Sequence, residues 1–93
     1  MTDLTYFYLK NCPYCRQADN FINELIKENP DFAKVKITKI EESENSVLAN
    51  KYNYYYVPCL WLGNEKLHEG AATKEVIKNV FEVALEKSLV KTH

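Results

Sequence analysis

Two thiols, Cys12 and Cys15, stand with two residues between them in Cys12-Pro13-Tyr14-Cys15. A pair at this spacing can close a small disulfide ring or share a metal ion. An apolar, strand-like run precedes it, Leu4 to Leu9, and a segment with helical periodicity follows. A helix N-terminus gathers unpaired N–H groups and a partial positive charge. A sulfur placed there ionises more easily, and the thiolate is the species that attacks a disulfide. The pattern favours thiol–disulfide exchange, with Cys12 as candidate nucleophile and Cys15, one helical turn later and more buried, as resolving thiol. Pro13 suits the first turn because its missing N–H would go unpaired there anyway.

A magnitude shows that the helix alone does not suffice. Lowering a thiol pKa from about 8.5 to about 5 takes roughly 4.8 kcal/mol. A helix dipole supplies about 0.3–1 kcal/mol, and about 2 at best. Backbone N–H groups of the first turn, the second thiol and a nearby cation must add to it, and Lys10 is the nearest lysine in sequence.

The rival use of the pair is half a zinc site, which needs two more ligands. Cys59 and His68 are available, but a lone C-x-x-C without a second pair is weak evidence for zinc, and no metal site is expected. A metal or iron–sulfur binding module without redox catalysis is the alternative from a different functional class. Cys59 has two readings as well, a third reactive thiol beside the site or a small buried strand residue.

The elements that must position these residues follow from apolar patterning. Leu4 to Leu9 is apolar on both alternations, as in a strand buried on both faces. Ala18, Phe21, Ile22, Leu25 and Ile26 form one stripe of a helix ending near Asn29-Pro30. Lys34 to Ile40 alternates and reads as a strand, and a short helix carries Val47, Leu48 and Tyr52. Two strands, Cys59–Leu62 and Glu65–His68, flank a Gly63-Asn64 hairpin link. Thr73 can cap a last helix with an apolar stripe of Val76, Ile77, Val80, Phe81, Ala84, Leu85 and Leu89. The order is β-α-β-α-β-β-α. The first β-α-β unit requires parallel strands with a right-handed crossover.

Composition bounds the rest. Ninety-three residues with 46% hydrophobic and 27% charged side chains fit one ordinary globular domain. A net charge of −1 gives no reason to expect nucleic acid as a partner. No run approaches the roughly 20 apolar residues of a membrane span. The start, Met1-Thr2-Asp3-Leu4, lacks a basic n-region, and three cysteines are an odd count for a disulfide scaffold. A cytoplasmic location is expected. Arg16, the only arginine, reads as a solvated helix residue. Trp61 reads as core, and Tyr52, Tyr54, Tyr55 and Tyr56 as either packing or a binding surface. His68 and His93 show no partner pattern.

Three segments carry a family resemblance. Cys12-Pro13-Tyr14-Cys15, Tyr56-Val57-Pro58 and Glu69-Gly70-Ala71-Ala72-Thr73 resemble the Cys-Pro-Tyr-Cys, Thr-Val-Pro and Gly-Gly-x-Asp-Asp segments of glutaredoxins in order and spacing. Together they span most of the chain. The resemblance implies a single glutaredoxin-like domain over residues 1–93, monomeric, with a thioredoxin-like α/β fold: a central mixed four-stranded sheet and three flanking helices. It implies an enzyme that reduces protein disulfides and glutathione mixed disulfides through a redox-active Cys12–Cys15 disulfide. Glutathione is then the cosubstrate, with no bound cofactor. By the same resemblance, Val57-Pro58 is a cis peptide facing Cys12 whose backbone pairs with a bound peptide or glutathione. Lys10 and Tyr14 border the glutathione groove, and the N–H groups around Gly70, Ala71 and Ala72 hold the γ-glutamyl carboxylate.

The chain departs from the family pattern at four places. Lys10 lies two residues before the first cysteine where many glutaredoxins have a basic residue three before. Tyr56 replaces a threonine, Glu69 the first glycine, and Thr73 the last aspartate. The last two changes displace the acidic partner of the glutathione amine. They motivate the alternative of an electron donor reduced by thioredoxin reductase and serving a dedicated protein such as ribonucleotide reductase.

Overall fold

The computed structural model describes residues 3–90, and the side chains of residues 4–87. In chain order it has β1 (Asp3–Tyr8), α1 (Pro13–Glu28), a 3-10 turn (Pro30–Lys34), β2 (Lys36–Glu41), a second 3-10 turn (Glu42–Glu44), α2 (Ser46–Ala49), β3 (Cys59–Leu62), β4 (Glu65–Glu69) and α3 (Lys74–Val90). The strands form one mixed sheet in the order β2-β1-β3-β4. β1 and β2 are parallel, and the other two pairings are antiparallel. His93 and the side chain of Leu89 lie outside the described residues.

The two-sided apolar pattern of β1 reflects two cores. Leu4 and Tyr6 face α1 and α3 in a cluster with Ala18, Ile22, Leu25, Leu60, Ile77, Val80 and Phe81. Phe7 faces the other way, with Ile40, Ala49, Cys59 and Trp61. Here Tyr52 packs edge-on against both Phe7 and Trp61, at ring-centroid distances of 4.8 and 5.1 Å. Tyr54 stacks on Phe7 at 4.9 Å. These two tyrosines are thus packing residues, whereas Tyr55 and Tyr56 point outward.

One boundary follows the expectation and one differs, each for a local reason. α1 stops before Pro30, because a residue preceding proline is driven out of the helical region. The Asn29 side chain then accepts the Asp31 N–H and starts the 3-10 turn that buries Phe32. That turn takes up Lys34, so β2 begins at Lys36. α2 is a single turn that buries Ala49 and leaves Val47 76% exposed, so its apolar residues do not form an inward stripe.

Gly63 adopts φ +60° in the β3–β4 link, the left-handed position such a short hairpin needs. Thr73 caps α3: its Oγ1 accepts the Val76 N–H at 3.2 Å, and its carbonyl accepts the Ile77 N–H. Thr73→Ala removes this cap and should cost about 1 kcal/mol, within the usual 0.5–2. Urea unfolding of the two proteins checks it, and equal midpoints would show that the cap carries no stability.

Candidate active site

Register alone gathers the candidate residues. Tyr8 pairs with Glu41, Phe7 with Cys59, and Cys59 with Glu69. The segments after β1, after β2, before β3 and after β4 therefore meet at one end of the sheet. Loops at the carboxyl ends of parallel strands form the usual ligand crevice of α/β sheets.

Cys12 is the N-cap of α1. Its backbone is extended, its carbonyl accepts the Arg16 N–H at 3.1 Å, and its Sγ accepts the Cys15 N–H at 3.3 Å. The bond satisfies one orphan donor of the helix and places it on the sulfur. Cys12 is partly exposed, whereas Cys15 is 1% exposed. Burial pushes the Cys15 thiol up to about 12. The Cys15 carbonyl is held by the Tyr6 hydroxyl at 3.0 Å. Burial also raises the Tyr6 phenol, so it donates as a neutral group. Tyr14 and Arg16 point into solvent on the first turn.

Across the crevice, Val57-Pro58 is cis. The Pro58 carbonyl accepts the Gly70 N–H at 2.9 Å, tying the two loops together. Gly70 itself lies at φ +92°, where a side chain is strained. The Glu69 carboxylate accepts the backbone N–H groups of Tyr55 and Tyr56, the second at 2.9 Å, and pairs with Lys66 at 2.7 Å. Glu69 thus fastens the loop that leads into the cis peptide. The His68 Nε2 lies 3.1 and 3.0 Å from the Gly70 and Ala71 carbonyls, and as N–H it donates to them. α3 begins at Lys74, so Ala71 and Ala72 sit in the turn before the helix and not in its first turn.

Lys66 and the two N–H groups hold the Glu69 carboxyl down at about 2. A carboxylate with a depressed folded pKa contributes stability above its unfolded pKa, and this is lost as pH falls through the folded value. The protein should therefore lose stability between about pH 4.5 and pH 2. Glu69→Gln should flatten that part of the profile in urea titrations at stepped pH. An unchanged acid limb would remove Glu69 from the linkage.

Lys10 is not free beside Cys12. Its ammonium pairs with Glu44 at 2.6 Å. Its backbone N–H donates to Glu41 Oε2 at 3.0 Å, while the other oxygen of Glu41 accepts from the Ser43 N–H, the Ser43 hydroxyl and the Glu44 N–H. The Ser43 hydroxyl is the largest of the influences that lower the Glu41 carboxyl. Glu41 is the one buried charged side chain among the described residues. Sequence reasoning did not single it out, because Glu41 to Ser46 is a polar run leading into the short helix. A carboxylate closing a strand, followed by serine two residues on, was the available signal.

Cys59 is fully buried, and its Sγ accepts the Trp61 indole N–H at 3.1 Å. Burial pushes its thiol up to about 11. Of its two readings, the small buried strand residue is the one observed. Among the described residues no group of three or more His, Cys, Asp and Glu side chains is placed to hold a metal, and no helix is long and apolar enough to cross a membrane.

The thioredoxin family profile matches residues 2–87. The chain belongs to the thioredoxin family. Among solved structures it is similar to a malarial protein, at 18% identity and TM-score 0.69, covering 91% of this chain and 98% of that one. It is similar to a mutant thioredoxin of Halobacterium salinarum at 24% identity and TM-score 0.66, covering 89% and 74%. It is also similar to the oxidised thioredoxin of Plasmodium falciparum at 19% identity and TM-score 0.66, covering 87% and 78%. At these identities the likeness establishes the thioredoxin-like fold, a mixed four-stranded sheet with three helices. No curated protein sequence matches significantly.

Proposed function

We propose that this thioredoxin-family protein is a dithiol thiol-disulfide oxidoreductase acting on protein disulfides. The observation that carries the reading is the placement of the two thiols: Cys12 partly exposed on the helix cap, Cys15 buried one turn behind it, and the Cys15 N–H on the Cys12 sulfur. The Cys12 thiolate attacks one sulfur of the substrate. A Cys12–substrate disulfide forms and the first substrate thiolate leaves. Cys15 then gives its proton to solvent and attacks the Cys12 sulfur. The second substrate thiolate leaves, and a Cys12–Cys15 disulfide remains. An external reductant must return two electrons. By the family resemblance, the Val57 backbone before cis-Pro58, in the loop fixed by Glu69 and Gly70, is where a substrate peptide pairs.

Two electron sources are proposed. The pairing of Lys10 with Glu44 and the use of Glu69 to hold the Tyr55–Tyr56 backbone leave neither free for glutathione. They favour a flavoprotein of the thioredoxin reductase type. Glutathione is the second reading, favoured by the Cys-Pro-Tyr-Cys sequence and by the α3 N-terminus opening beside the Gly70 turn. Insulin reduction driven by NADPH distinguishes them: one assay contains thioredoxin reductase alone, the other glutathione with glutathione reductase. Turnover with the first and not the second supports the primary reading, and the reverse replaces it. Failure of both, together with failure under dithiothreitol, would remove the oxidoreductase assignment.

A further inference from the structure

A cleft of about 380 Å³ opens beside the nucleophile and is lined by Lys10, Cys12, Glu41, Ser43 and Glu44 among others. Its one cation is Lys10. Glu41 fixes the Lys10 backbone, and Glu44 holds the Lys10 ammonium at 2.6 Å. Two carboxylates and one ammonium thus line the cleft, so its formal charge is net negative next to the reacting sulfur. We propose that Glu44 is a specificity-determining residue, which holds Lys10 away from substrate and so selects neutral and cationic disulfides over anionic ones, glutathione mixed disulfides included. The inference rests on the oxidoreductase reading above.

The physical argument is competition. An anionic substrate that approaches Cys12 through this cleft gains little unless Lys10 turns to it. Lys10 must then leave Glu44, and the released carboxylate repels the incoming charge. The hydrogen bond from Lys10 to Glu44, and then their attraction, raise the Lys10 pKa, which is the mark of an ammonium already satisfied. A cationic substrate meets no such competition, because Glu41 and Glu44 both favour it. The pair is solvated, with side chains 62% and 58% exposed, so its influence is modest and screened by salt.

The test uses peptides with one disulfide flanked by glutamates, by lysines or by neutral residues, with dithiothreitol as reductant. The readout is the ratio of kcat/KM for the anionic and the neutral peptide. Glu44→Gln should raise that ratio about threefold, and Glu44→Lys about tenfold, at low salt. Both gains should shrink toward unity near 1 M salt. A glutathionylated peptide should follow the anionic one. In a Lys10→Gln background the effect of Glu44→Gln should fall, because the residue acts through Lys10. Equal effects in both backgrounds would overturn that role. A ratio that Glu44→Lys leaves unmoved, in a protein that still reduces the neutral peptide, would overturn the proposal and leave the oxidoreductase reading standing. Wild-type protein that reduces no peptide at all would overturn both.

Discussion

Cys12→Ser is expected to bring reduction of every disulfide to background, a loss of roughly 10³-fold or more, as for removal of a covalent nucleophile. Cys15→Ser should behave differently. It should lose turnover of protein disulfides but still exchange with a glutathione mixed disulfide, where an external thiol can complete the cycle. The asymmetry follows from where the sulfurs lie. Cys12 is partly exposed on the helix cap, whereas Cys15 is buried with its thiol pushed up to about 12. At neutral pH only a small minority of Cys15 is then thiolate. An intramolecular attack can carry an effective molarity of about 10⁵ M or more, which offsets that fraction and competes with millimolar thiol in solution. A high-pKa thiolate is also the stronger nucleophile once formed. Iodoacetamide labelling followed by mass spectrometry checks the same picture. Cys12 should react in the native protein, and Cys15 and Cys59 only in denaturant. Native labelling of Cys15, or a fully active Cys12→Ser protein, would reverse the assignment of the two thiols.

The parts of the fold that were legible are those with local causes. The two-sided apolar run of β1, the stripe of α1, the Gly63 hairpin and the Thr73 cap each declare themselves through side-chain period or backbone conformation. So does the Cys12–Cys15 pair, whose placement depends on one helical turn. The connections across the crevice had no such signal. Glu69 stands where a glutaredoxin has glycine, and nothing local says that its carboxylate will hold Tyr55 and Tyr56 fourteen and thirteen residues away. Glu41 meets Lys10 only because β1 and β2 are adjacent and parallel with Tyr8 opposite Glu41. Likewise, His68 finds its carbonyl partners only once Gly70 turns the chain. Long-range hydrogen bonds depend on register, and register becomes definite only when the whole sheet is assembled. The residues that hold the loops of the crevice in place were therefore harder to find than the paired thiols.

Phe81→Ala is expected to produce the largest loss of stability, about 3–5 kcal/mol. Phe81 is fully buried on α3 and meets Phe32 edge-on at 5.4 Å, so one ring joins the last helix to the turn that follows α1. Removing it takes away burial and leaves a cavity that two packed helices cannot easily close. A domain of this size holds about 5–15 kcal/mol in total, so the loss is a large share. The urea midpoint should fall by roughly 2–3 M. Phe81→Leu, which keeps most of the volume, should lose far less. The consequence reaches the site because α3 begins at Lys74, directly after the Gly70 turn tied to Pro58. Loosening the helix frees that turn while leaving Cys12 on α1. Below the unfolding midpoint, Phe81→Ala should thus retain native-like alkylation of Cys12 yet bind substrate peptide more weakly, with KM rising before kcat falls. If kcat falls first with KM unchanged, the α3 turn is no part of the substrate crevice, and the candidate site contracts to the cap of α1 and the loop before Pro58.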